Sequence, residues 1–157
     1  MSVLQNGDVF PTFTIAAVGG GVIELPHDLA GAYGVVLLYR GSWCPYCNAQ
    51  IAAFSRATEA LAKLPVKVVA LSVDDELTSS AFAQKHGIRF PLGHSADVDA
   101  IAAVTGAYTH DHPKYFQSTG FVLDPEGRVI TAVYSSEAIG RLVPDDVAGF
   151  VQYVKSH

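Results

Sequence analysis

Runs of apolar residues divide this chain into alternating strand and helix candidates. Val35-Val36-Leu37-Leu38-Tyr39 is continuously apolar and rich in strand formers, so residues 34–40 read as a buried central strand. Directly after it, Cys47, Ile51, Phe54, Thr58 and Leu61 recur at helical spacing, predicting a helix from the cysteines to about Lys63, stopped by Pro65. Val66-Lys67-Val68-Val69-Ala70-Leu71-Ser72-Val73 is a second near-continuous run, as expected for a parallel sheet covered on both faces. Asp74-Asp75 can cap a helix over about 76–86, which Gly87 ends. Phe90-Pro91-Leu92 is a short extended piece, and Ser95 or Asp97 can cap a helix through Ile101, Val104 and Thr105 to Gly106. Gly120–Asp124 and Gly127–Tyr134 flank the turn Asp124-Pro125-Glu126-Gly127. Pro144 opens a last helix to about Val154, with Val147, Phe150, Val151 and Val154 inward.

The N-terminal part reads as a turn and strand over Gly7–Ile15, then Gly19-Gly20-Gly21 leading into Val22–Leu25. His27–Gly31 is a brief helical turn. The whole order describes an α/β chain with the thioredoxin fold: a central mixed sheet flanked by helices, with an N-terminal β-hairpin extension. At 157 residues, half of them hydrophobic, the expectation is one domain spanning 1–157 with a sizeable core. The net charge of -5 is mild, and no Lys/Arg cluster marks a nucleic-acid or membrane surface. No apolar run approaches the ~20 residues of a membrane span. The opening Met1-Ser2-Val3-Leu4-Gln5-Asn6-Gly7-Asp8 has neither basic start nor apolar h-region, so the expected compartment is cytoplasmic.

Candidate chemistry concentrates in Arg40-Gly41-Ser42-Trp43-Cys44-Pro45-Tyr46-Cys47, which holds both cysteines and the only tryptophan. A thiol at a helix N-terminus faces unpaired N–H groups and the positive end of the helix dipole, and both favour thiolate. Pro45 fits the first helical position. Cys44 is then expected at the exposed cap and Cys47 one turn further in, facing the core, with Arg40 adding positive charge. In this reading Cys44 attacks and Cys47 resolves. A structural bridge over two intervening residues would constrain little of the unfolded chain, and haem attachment needs a histidine where Asn48 stands. Zinc held with His110 and His112, or two inert core thiols, are competing readings, and no metal or cofactor is expected.

Around this loop, Tyr46 either gates or covers the site, and Trp43 either shapes a groove or fills space. The fold places Ser118 and Thr119 opposite the loop, within reach of a hydrogen bond to thiolate or substrate. His110-Asp111-His112 reads as a solvated loop, or as a metal or proton-transfer site near the cysteines. Tyr134-Ser135-Ser136 with Ile139-Gly140-Arg141 is either a partner surface or a plain strand-to-helix connection.

Gly7-Asp8 with Pro11 and Phe13, the strand entering Trp43-Cys44-Pro45-Tyr46-Cys47, and Phe121–Gly127 resemble the redoxin family. The branch is that of alkyl hydroperoxide reductase and thiol-specific antioxidant proteins, the peroxiredoxin-like proteins. The resemblance implies a thioredoxin fold, an attacking Cys44 and reduction by an external thiol system, either a thioredoxin-like protein or a low-molecular-weight thiol. It also exposes departures. Counted back from Cys44, the family's proline and hydroxyl positions hold Leu37 and Gly41, with Ser42 one place out of register. The family arginine would fall near Ser118, where none stands, so Arg40 and backbone N–H groups are left to stabilise a departing oxygen. Ser118 also takes the place of the proline that thioredoxin-like oxidoreductases carry beside the CxxC. CPYC is the glutaredoxin tetrapeptide as well, but that family's glutathione-binding segments are not recognisable. Thiol–disulfide exchange is therefore the leading expectation. A thiol-dependent peroxidase for hydrogen peroxide or organic hydroperoxides is the alternative, and a redox-responsive binding protein the non-enzymatic one.

Overall fold

A computed structural model of the chain describes residues 3–157, so the first two residues of the Met1–Asp8 lead lie outside it. The elements are β1 (Phe13–Ala17), β2 (Val22–Leu25), a 3-10 turn (His27–Leu29), β3 (Tyr33–Leu38), α1 (Pro45–Arg56), α2 (Thr58–Ala62) and β4 (Val66–Leu71). They continue with α3 (Glu76–His86), β5 (Leu92–His94), α4 (Val98–Thr105), β6 (Thr109–His110), β7 (Tyr115–Phe116), β8 (Thr119–Leu123), β9 (Val129–Tyr134) and α5 (Pro144–Ser156). Seven strands form one sheet in the order β2-β1-β5-β4-β3-β8-β9. β3 runs parallel to β4, and β4 to β5, while β8, β9 and the β1–β2 hairpin are antiparallel to their neighbours. This is the thioredoxin-like mixed sheet, extended at one edge by the N-terminal hairpin.

β3 is apolar at every position because helices or strands cover both sides of it. Val35, Leu37 and Tyr39 pack with Ile51 and Phe54 of α1 and with Val147 and Val151 of α5. Val36 and Leu38 face the other layer, with Phe10, Phe116, Phe121 and Ile101 of α4. Phe121 is fully buried, edge-on to Phe10 at 5.2 Å and to Tyr134 at 5.6 Å. Phe121→Ala is expected to destabilise the protein by about 3–5 kcal/mol, read from the midpoint of chemical denaturation.

Several local expectations shift. The long helix breaks at Ala57, where the Thr58 hydroxyl donates to the Ser55 and Phe54 carbonyls and competes with the backbone ladder. The first strand begins at Phe13, and Val9 makes only an isolated bridge to Arg128. Asp97, not Ser95, caps α4 by accepting from the Ala100 N–H at 3.1 Å. The stretch expected as a solvated loop is exposed over residues 111–114 and forms the turn of a short β6–β7 hairpin. Among the described residues no helix is long and apolar enough to cross a membrane.

Candidate active site

The segment between β3 and α1 lies beyond the C-terminal ends of β3 and β4, where open α/β sheets place their sites. Tyr39 still donates its N–H to the Leu71 carbonyl at 3.1 Å. The Ser42 N–H then donates to Asp74 Oδ2 at 2.8 Å, and Asn48 Nδ2 donates to the Ser42 carbonyl at 3.1 Å. These bonds pin the turn from both sides. Gly41 leaves room for the Trp43 ring, since a Cβ on it would lie 2.3 Å from the indole nitrogen and displace that exposed side chain. Ser42 thus serves the site through its backbone.

Cys44 is the N-cap of α1 with extended backbone, and Pro45 follows at the start of the helix. Its sulfur accepts from the Cys47 N–H at 3.3 Å, satisfying one of the open donors of the first turn. Both cysteines are free thiols. Cys47 is buried as expected, but Cys44 is also 0% exposed. Trp43 and Tyr46 point outward, each 54% exposed, while two guanidinium groups, one from the start of the motif and one from a distant segment, lie against the sulfurs.

The first is Arg40. Its backbone N–H donates to Cys47 Sγ at 3.4 Å, and its Nη1 lies 3.9 Å from Cys44 Sγ. Its side chain is held by Gln117 Oε1 at 3.0 Å, the Tyr115 hydroxyl at 3.1 Å and Glu137 at 3.5 Å. It also lies over the Trp43 and Tyr115 rings at 4.9 and 5.2 Å. The second is Arg141, from the segment between β9 and α5. Its Nη2 is 3.1 Å from Cys47 Sγ and 3.7 Å from Cys44 Sγ. Nη1 donates to Gln50 Oε1 at 2.7 Å and Nε to the Ala138 carbonyl at 2.6 Å.

These contacts separate the two thiols electrostatically. Burial pushes Cys44 up, but hydrogen bonds from the Cys47 thiol and N–H, the Arg40 bond and the Arg141 charge outweigh it, and the thiol titrates below its ordinary range. Burial pushes Cys47 up, reinforced by its bond to Cys44, and Arg141 only partly offsets this. Of the two thiols Cys44 therefore gives up its proton first, and its thiolate receives a hydrogen bond from the Cys47 thiol.

Ser118 and Thr119 are buried at the head of β8, where the Ser118 backbone and the Thr119 hydroxyl are bonded within the fold. The Ser118 N–H donates to the Glu137 carbonyl at 3.4 Å, and its carbonyl accepts from Ser135 at 2.9 Å. The Thr119 hydroxyl donates to the Gln117 carbonyl at 3.1 Å. His110 stacks on Tyr115 with ring centroids 4.6 Å apart, and its Nδ1 lies 2.9 Å from the Pro113 carbonyl. His112 is exposed in the β6–β7 turn. Neither histidine is gathered with the sulfurs; His110 supports the tyrosine that holds Arg40. Arg141, Gln117, Tyr115 and Gln50 are the site residues that pattern reasoning passes over. The one local signal is a lone arginine between Gly140 and the buried Leu142.

Tyr115→Phe removes an acceptor from Arg40 and is expected to move the Cys44 alkylation profile to higher pH. The sign follows from the lowered pKa. Thiolate reactivity persists below the ordinary cysteine value of about 8.5 and fades as pH falls through the folded value. The linked stabilisation of the fold is present above that ordinary value and is lost over the same fall in pH. Iodoacetamide rates across pH, with mass spectrometry locating the adduct, measure the shift.

Comparison with known proteins places the chain among thiol redox proteins. Over 142 residues the chain is 29% identical to a peroxiredoxin of Treponema denticola, covering 86% of this chain and 66% of that protein, about two thirds of its length. It is 25% identical over 152 residues to the thiol-disulfide oxidoreductase ResA of Bacillus cereus, covering 96% and 79% of the two chains. The crystal structure of peroxidoxin BcpB from Mycobacterium tuberculosis shares the fold with a TM-score of 0.84, at 19% identity over 96% of this chain and 98% of that one. Residues 6–132, which hold all of the sheet but the end of β9, together with the capped cysteine pair and Arg40, match the AhpC/TSA family model, and the chain belongs to that family.

Proposed function

We propose that the protein is a thiol-dependent peroxidase whose Cys44 and Cys47 cycle between dithiol and disulfide. The observation that carries this reading is the pair of guanidinium groups, Arg40 and Arg141, set against a helix-capped thiol. Disulfide exchange needs only the thiol pair. Heterolysis of a peroxide bond also needs positive charge where the departing oxygen gathers electrons, and Arg40 and Arg141 supply it in place of the missing arginine near Ser118.

The Cys44 thiolate attacks the terminal peroxide oxygen, the O–O bond breaks, and the alkoxide or hydroxide takes a proton to leave as alcohol or water. Cys44 is oxidised to the sulfenic acid. The Cys47 thiol then attacks that sulfur, releasing water and forming the disulfide. Two equivalents of an external thiol restore the dithiol. A thioredoxin-like protein or a low-molecular-weight thiol fits this last step, and a reducing compartment such as the cytoplasm keeps the pair reduced.

Thiol–disulfide exchange is the second reading, favoured by a resolving thiol on the adjacent turn of the same helix. Against it stands the Ser118 backbone, whose N–H and carbonyl are already bonded to Glu137 and Ser135 and are not free to pair with a peptide substrate. Stopped-flow fluorescence of Trp43, exposed beside Cys44, separates the readings. A fast phase with hydrogen peroxide that Cys44→Ser removes supports the peroxidase. A fast phase only with a small-molecule disulfide replaces it with exchange, and no Cys44-dependent phase with either leaves a redox-responsive binding protein.

A further inference from the structure

The stretch from Ser135 to Val143 joins β9 to α5 without strand or helix, yet it carries two charged contacts of the site. Glu137 meets Arg40 Nη2 at 3.5 Å, and Arg141 Nη2 lies 3.1 Å from the Cys47 sulfur and 3.7 Å from that of Cys44. Groups carried on loops are placed less precisely than groups on helices or strands unless the loop itself is braced. Here the first residue of the stretch braces the rest. The Ser135 N–H donates to the Ser118 carbonyl at 2.9 Å, which fastens the turn to the head of β8. Its hydroxyl accepts from the Glu137 N–H at 3.2 Å. The hydroxyl proton is shared between the Glu137 carbonyl, 3.1 Å away, and the Ile139 carbonyl. Serine forms such local bonds with backbone groups a few residues on, and they set the path of a turn. Gly140 then closes it at φ +84°, a left-handed conformation that favours glycine.

The carbonyl between those two, that of Ala138, accepts from Arg141 Nε at 2.6 Å. Arg141 Nη1 is taken by Gln50 Oε1 at 2.7 Å. A guanidinium is planar and rigid, so fixing two of its nitrogens aims the third, Nη2, at the sulfurs. We infer that Ser135 is a positioning residue for the thiol chemistry: its hydroxyl closes the turn that aims Arg141 at the two sulfurs and sets Glu137 against Arg40. Ser135 touches neither sulfur itself. Its loss displaces charge without removing any, and Gln50, which also donates to the Leu142 carbonyl at 2.9 Å, still holds the far end. The effect is therefore partial, well below that of losing Arg141.

Iodoacetamide alkylation of Cys44 across pH tests this placement without any peroxide. Ser135→Ala is expected to slow alkylation near neutral pH about fivefold, the equivalent of one lost neutral hydrogen bond, and to move the profile to higher pH. The sign follows because a displaced guanidinium stabilises the thiolate less. Ser135→Thr keeps a hydroxyl in the same place and is expected to restore the profile. Gly140→Ala strains the same turn from its other end and is expected to shift the profile in the same direction as Ser135→Ala. In an Arg141→Gln background, Ser135→Ala is expected to add less than about twofold, because the group it aims is gone. An unchanged profile in both turn variants overturns the inference. So does the full fivefold effect in the Arg141→Gln background, which marks a general loosening of the fold. The consequence for turnover rests on the peroxidase reading: Ser135→Ala is expected to slow the peroxide phase of Trp43 fluorescence by the same factor. If the unsubstituted protein shows no such phase, the peroxidase reading falls, and the alkylation shift still establishes the positioning role. A normal peroxide phase and a normal alkylation profile in Ser135→Ala remove Ser135 and leave the peroxidase.

Discussion

Serine in place of Cys44 is expected to abolish peroxide consumption, lowering the rate by about 10³-fold or more. A serine hydroxyl in the same N-cap position keeps the bond to the Cys47 N–H, so the fold is retained while the nucleophile is lost. Cys47→Ser should behave differently. It leaves Cys44 capped by the same N–H and flanked by Arg40 and Arg141, and a serine hydroxyl still donates to the thiolate. One equivalent of peroxide is then consumed, the sulfenic acid accumulates, and a dimedone adduct marks Cys44 by mass spectrometry. The contrast tests the assignment of roles as well as the activity. If Cys44→Ser keeps the first turnover and Cys47→Ser loses it, Cys47 is the attacking thiol.

Arg141→Gln carries the second large effect, an expected loss of about 10²–10³-fold in the rate of Cys44 oxidation. Two causes act together. The substitution withdraws the cation 3.7 Å from Cys44 and 3.1 Å from Cys47, and it removes positive charge where the leaving oxygen develops its own. The alkylation profile of Cys44 should move to higher pH in the same variant, because one of the influences lowering its pKa is gone. Arg141→Lys should recover only part of the rate. A lysine offers one compact charge, whereas the guanidinium bonds Ala138, Gln50 and the sulfurs at once. Unchanged oxidation kinetics in both variants would remove Arg141 from the mechanism.

The parts of this molecule legible in the sequence are those whose cause is local. Val35–Tyr39 is buried on both faces and therefore apolar at every position, and the stripe through Ile51 and Phe54 follows from the helix period. Pro45 after Cys44 marks the helix start for the same reason. Arg141 is different. It meets Cys47 across 94 residues of chain, through a segment with neither strand nor helix period, and no pattern near either residue records the encounter. The burial of Cys44 is hidden in part for the same reason, since one of the two guanidinium groups against it, Arg141, comes from beyond its own motif. β6 and β7 are two residues each, too short for alternation to register, yet they hold Tyr115 against Arg40. The sequence thus shows the thiols, the helix N-terminus and Arg40, and hides Arg141 and the groups that hold both arginines in place.

The two guanidinium groups also set the energy of the oxidised protein. A disulfide carries no charge, so oxidation deprives Arg40 and Arg141 of the anion they surround, and Arg141 has no carboxylate partner among the described residues to replace it. Stabilising the reduced state in this way raises the reduction potential of the pair, each 1.4 kcal/mol amounting to about 30 mV. The disulfide is then expected to be readily reduced by a weak thiol reductant, and the dithiol form to show the higher melting temperature of the two.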